Sequence, residues 1–169
     1  MESSSLKNLT TVKFKSLHNQ EIGYADLFAG RRIVIFSLPQ SVTTQSWRHL
    51  KKYSDSYQQL TQLGINGVYA VSSQSFVIPF VEIHSQTVVP LHDYSLDFVQ
   101  FLQHELQSTK NLTEVGQRWQ YSAIITDGQV DKLFNNPIKE KMSLKLYLDP
   151  KFHYRGVDSE TVINYLQRG

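Results

Sequence analysis

The stretch Ile33-Val34-Ile35-Phe36-Ser37-Leu38-Pro39, continued by Gln40-Ser41-Val42-Thr43-Thr44-Gln45-Ser46, decides how this chain is read. Its first half is a short apolar run rich in β-branched residues, the pattern of a strand buried on both faces. Its second half is polar. It leads into Trp47, Leu50, Tyr53, Tyr57, Leu60 and Leu63, which step by three or four residues like the apolar stripe of an amphipathic helix. Thr43 or Thr44 is placed to cap that helix, and Gly64 to close it in a left-handed conformation. Where a strand feeds a helix N-terminus, backbone N–H groups and the helix dipole converge, so an anion or an activated nucleophile is stabilised there. Thiol enzymes use such a position because its field favours the thiolate. Here the position offers Gln45 and Ser46, and the chain contains no cysteine.

Outward from this stretch the pattern is that of an α/β domain. Val12 to Leu17 alternates apolar and polar residues as a half-buried strand does, with a turn at His18-Asn19-Gln20. Tyr24 to Gly30 reads as a short helical turn. Beyond the helix come a core strand at Val68 to Ser72, a helix over Phe76 to His84 and a strand at Thr87 to Leu91. Leu96, Val99, Phe101, Leu102 and Leu106 mark a further helix. Ser122 to Thr126 and Val130 to Phe134 flank Asp127-Gly128 as a hairpin with a two-residue turn. Asp158 or Ser159 caps a last helix through Leu166. From the buried strand onward the order is β-α-β-α-β-α-β-β-α, which predicts a central mixed sheet flanked by helices.

Bulk composition narrows the function classes. The 169 residues, 40% hydrophobic, suit one domain, with a flexible N-terminal segment over 1–10 and the folded domain over 11–169. A net charge of +2, with basic pairs only at Arg31-Arg32 and Lys51-Lys52, argues against a nucleic-acid partner. No apolar run is long enough to span a membrane, and Met1 to Ser5 lacks the pattern of a secretory signal, so a cytoplasmic setting is expected. The absence of cysteine excludes disulfides and thiolate metal sites. The six histidines lack close ligand spacing, so neither a metal nor a cofactor is expected, although His92-Asp93 has the form of an orienting pair.

The order of elements, with the turn at 39–46, resembles the thioredoxin fold. The residues within it resemble the peroxiredoxins, in particular the peroxiredoxin domain of bacterial peroxiredoxin–glutaredoxin hybrids. The resemblance rests on Asp26-Leu27-Phe28, on Ile33 to Pro39 with Thr43, and on Ala70-Val71-Ser72 with Ser75-Phe76-Val77. It continues at Arg118-Trp119-Gln120-Tyr121-Ser122 with Asp127-Gly128, and at Val157-Asp158-Ser159-Glu160 with Tyr165-Leu166. It covers about residues 11 to 167 and includes no glutaredoxin module.

In that family a proline shields the site from water, a threonine and backbone N–H groups bind the peroxide, and an arginine supports the cysteine thiolate. Pro39 and Thr43 match the proline and the threonine. Counted from them, the cysteine position falls on Ser46; counted back from His49, Leu50 and Tyr53, it falls on Gln45. The turn is one residue shorter than the family's. The arginine position is Gln120, with Arg118 two residues earlier on the same side of a strand. The resemblance thus implies a degenerate peroxiredoxin without thiol peroxidase chemistry, since serine cannot cycle through a sulfenic acid. Such a protein would act as a binding or regulatory module. Its partner would be itself or an active paralogue, and its ligand a small anion or peroxide-shaped molecule held by Thr43, Ser46, Trp47, Arg118 and Gln120. The alternative implication is a glutaredoxin- or glutathione-dependent peroxidase whose lone cysteine has been replaced by Ser46 through engineering. A serine nucleophile formed by Ser46 with His49 lacks the Gly-x-Ser-x-Gly elbow, so Ser46 reads more simply as a helix-start residue.

Overall fold

The structure is a computed structural model that describes residues 9–38, 44–73, 86–105, 120–136 and 156–169. The helix expected over Phe76 to His84 lies outside these residues, as do Pro39, Thr43 and Arg118. A 3-10 turn, Leu9–Thr11, precedes the first strand and buries Leu9.

The strands are β1 (Phe14–Lys15), β2 (Glu21–Ile22), β3 (Arg32–Ser37), β4 (Gly67–Ser72), β5 (Val88–His92), β6 (Gln120–Thr126) and β7 (Gln129–Asn136). The helices are α1 (Tyr24–Leu27), α2 (Thr44–Asp55), α3 (Tyr57–Gln62), α4 (Asp97–Glu105) and α5 (Ser159–Arg168). Among the described residues they build one mixed sheet in the order β2-β1-β5-β4-β3-β6-β7. β3, β4 and β5 run parallel; β6 returns antiparallel beside β3 and pairs with β7 as the expected hairpin.

β3 explains why helices cover both faces. Ile33, Val34, Ile35 and Phe36 are all fully buried, and alternate residues enter different cores. Ile33 and Ile35 pack with Phe14, Leu27, Phe98, Phe101 and Tyr121 on the α4 side. Val34 and Phe36 pack with Leu50, Tyr53, Leu60, Val68 and Val162 on the side of α2, α3 and α5. Each such side chain withdrawn from water contributes roughly 1.5–3 kcal/mol, offset by the entropy of ordering the chain.

Local chemistry sets the boundaries. Gly64 takes the left-handed φ of 94° that ends α3, and Asp158 caps α5 by accepting from the Thr161 N–H at 3.1 Å. Three details depart from expectation. The helix expected through Leu63 is interrupted at Ser56, whose hydroxyl donates to Ser159 at 3.1 Å and so turns the chain towards α5. β2 forms because Ser16 Oγ accepts from the His18 and Gln20 N–H groups and Asn19 adopts a φ of 67°, folding the turn back on β1. Leu96 precedes α4 with a φ of 60°, because Asp93 reaches past it to the first-turn N–H groups of that helix.

At the β6–β7 turn both Asp127 and Gly128 have positive φ, 47° and 79°, as a two-residue primed turn requires. A Cβ added at Gly128 would lie 2.5 Å from the Tyr24 hydroxyl, whereas one at Gly30, also left-handed, would meet nothing within 4 Å. Gly128→Ala is therefore expected to lose about 2–3 kcal/mol of stability against about 1 kcal/mol for Gly30→Ala, measured by urea unfolding. Equal losses would mean that the Tyr24 contact contributes nothing.

Candidate functional site

The carboxyl ends of parallel strands are where an open α/β sheet binds ligands. β3 ends at Ser37, and α2 begins at Thr44. β6 runs the other way, so its first residue, Gln120, lies at the same end of the sheet: Ser122 pairs with Phe36, and Gln120 is two residues further out. Gln120, Ser122 and Ile124 alternate onto the face that α2 covers. The fold thus brings Gln120 and the start of α2 to one end and one face.

Helical spacing turns Ser46, His49, Leu50 and Tyr53 inward, all buried, while Trp47 is 38% exposed. Trp47 therefore does not fill this site as a core residue would. Gln45 belongs to the first turn of α2. His49 stands edge-on to both Phe36 and Tyr53, with ring centroids at 5.1 and 5.2 Å, and Phe36 and Tyr53 stack in parallel at 3.9 Å. The Tyr53 hydroxyl lies 2.7 Å from Ser122 Oγ and donates to the Val157 carbonyl at 2.9 Å; Ser122 Oγ also reaches that carbonyl. Beside them Ser37 Oγ accepts from the Tyr121 N–H at 2.9 Å, tying the end of β3 to β6.

Burial dominates the electrostatics. It pushes His49 down to about 3, helped by the nearby positive charge of Lys52. It also pushes the Tyr53 hydroxyl well above its ordinary range; the Ser122 hydrogen bond works against that rise and the charge of Asp158 adds to it. His49 is thus a neutral aromatic wedge, and far too weak a base at neutral pH to activate a serine. Ser46 with His49 does not make a nucleophile pair. His92 and Asp93 do not pair either: His92 Nε2 lies 3.2 Å from the Ser73 carbonyl, and Asp93 accepts from the Phe98 and Val99 N–H groups. Among the described residues no cluster of three or more acidic, histidine or cysteine side chains could hold a metal, and no helix is long and apolar enough to cross a membrane.

Tyr53, Ser122 and Ser37 were not singled out as site residues. Ser37 and Ser122 each interrupt an apolar run within a buried strand, and a buried hydroxyl requires a partner. That was the available signal.

Comparison with known proteins agrees with this geometry. No protein-family model matches the chain. A peroxiredoxin of Synechocystis sp. is 27% identical over 145 residues, covering 83% of this chain and 73% of that protein. A hybrid peroxiredoxin of Haemophilus influenzae is 23% identical over 173 residues, covering 98% of this chain and 67% of that protein. Reduced Prx3 of Vibrio vulnificus, solved in complex with hydrogen peroxide, superposes with a TM-score of 0.67 at 20% identity, covering 98% of this chain and 99% of that one. The fold is thioredoxin-like. In sequence the chain is similar to these peroxiredoxins, and it contains no cysteine.

A histidine held below its unfolded value of 6.5 stays neutral in the folded protein while the unfolded chain takes up a proton. Its contribution is complete above pH 6.5 and is lost as pH falls from there towards 3, by up to roughly 5 kcal/mol. His49→Phe is expected to flatten that acid-side loss in urea unfolding followed across pH. An unchanged pH slope would show that His49 is accessible to protons.

Proposed function

We propose that this chain is a peroxiredoxin-fold binding or regulatory module that does not reduce peroxides through a thiol. One observation carries the reading: the helix start after β3, where the fold would support a thiolate, holds Gln45 and Ser46, and no cysteine stands elsewhere in the 169 residues. Two others support it. Ser46 is fully buried, and Gln120 stands at the strand position where the family resemblance places an arginine.

In this reading the domain runs over 11–169 and keeps the recognition half of the site while lacking its reactive half. By the family resemblance, a small polar molecule would bind at the positions of Pro39, Thr43, Ser46 and Gln120, with Arg118 and Trp47 as further candidate ligands. A small anion would be held by the α2 N-terminus, and an uncharged diol of peroxide shape by hydroxyl and amide groups. The partner is a second copy or an active paralogue.

Peroxide consumption with thiol reductants tests the reading on the protein as it stands, on Ser46→Cys and on Gln45→Cys. The unaltered protein is expected to show no consumption above the reductant background; robust turnover would overturn the reading. Activity gained by one cysteine variant would identify the position equivalent to the family's thiol and show that the surrounding site remains competent. Inactivity of both would show that the shortened turn and Gln120 have removed that competence. Sedimentation of the purified protein tests self-pairing, for which a dimer is expected.

A further inference from the structure

Asp93 is the one fully buried acidic side chain among the described residues. It sits where β5 ends, between the end of β4 and the start of α4. Its backbone N–H donates to the Ser72 carbonyl at 2.8 Å, and its two carboxylate oxygens accept from Phe98 and Val99, each at 3.2 Å. Leu91, Phe98, Val99 and Tyr121 belong to the apolar core on this side of the sheet.

No cation among the described residues makes an ion pair with it. Lys15 on β1 holds its ammonium over the Tyr94 ring at 4.9 Å, and His92 on β5 faces the Ser73 carbonyl. The charged group acting on it from α4 is Asp97, which repels it. From β6 it meets Tyr121, whose hydroxyl holds its proton more tightly through burial and the Asp93 charge. A buried carboxylate without a counter-charge is costly, and backbone hydrogen bonds offset only part of that cost.

We propose that Asp93 is a proton-responsive latch beneath α4: proton uptake in mildly acidic conditions relieves its buried charge and stabilises the folded domain. Burial raises its carboxyl to about 6 from an ordinary 3.8, with the Phe98, Val99 and Asp97 N–H groups pulling the other way. For an acid raised in this way the folded protein takes the proton first. Stability is therefore gained as pH falls from about 6 towards 3.8 and lost as pH rises through the same window. The latch extends to the end of the sheet that carries the candidate site, because Tyr121 is hydrogen-bonded through its backbone to Ser37. The inference does not depend on the proposed function.

The test compares the unaltered protein with Asp93→Asn, which keeps an amide oxygen for one helix N–H. The ratio of their folding constants, from urea unfolding between pH 4 and 7.5, is expected to fall by up to about a hundredfold as pH rises to 6 and to level off above it. His49, present in both, cancels from that ratio. The protection of the Phe98 and Val99 amides, taken as a ratio to the same amides in Asp93→Asn so that His49 cancels, is expected to be greater at pH 5 than at pH 7. A ratio independent of pH, or rising with it, overturns the proposal. If Asp93→Asn does not fold, carbon NMR of the Asp93 carboxyl in the unaltered protein decides: a midpoint near 6 supports the latch, and one near 4 overturns it.

Discussion

The Tyr53 side chain is the contact on which the rest of the site end depends. Its ring lies flat on Phe36 of β3, and its hydroxyl engages Ser122 of β6 and the Val157 carbonyl just before α5. One residue of α2 thereby fixes that helix against two neighbouring strands and the closing helix. The rotation of α2 follows. Once Tyr53 is seated, helical spacing buries His49, Leu50 and Ser46 and leaves Trp47 and Arg48 outside. Three polar atoms share one dry location here, so their mutual hydrogen bonding is a condition of packing.

That constraint bears on chemistry as much as on stability. A peroxiredoxin fold supplies a strand end, a helix N-terminus and a covered sheet face, and each of these is present. The groups beneath the helix are nevertheless all held neutral by burial, His49 without its extra proton and Tyr53 with its own. A scaffold of this kind holds no thiol to be oxidised. Asp93, under the opposite face, is the contrasting case: a carboxylate kept in the core by two N–H groups of α4.

Much of the fold was legible because β3 announces itself. Four consecutive apolar residues, three of them β-branched and in a short run, fit a strand covered on both faces, and that implies helices on each side. The Asp127-Gly128 turn and the Gly64 helix end were legible for a simpler reason, since each requires a left-handed backbone that few residues accept. The break at Ser56 and the displacement of Leu96 from α4 were not. Each depends on a polar side chain reaching a distant or neighbouring element, Ser159 in one case and the N–H groups of α4 in the other. The short β2 was missed because two residues carry too little periodicity to register as a strand.

By itself the sequence determined the sheet with helices on both faces, the absence of any thiol, and the adjacency of Gln45 and Ser46 to a helix start. These follow from composition and from local spacing, which act through neighbours along the chain. Only the tertiary structure decided that Trp47 lies outside the core, that His92 and Asp93 turn to different partners, and that Ser37, Ser122 and Tyr53 knit the site end together. Those outcomes turn on which face of a helix meets which strand, and on where a buried polar atom finds its partner up to a hundred residues away.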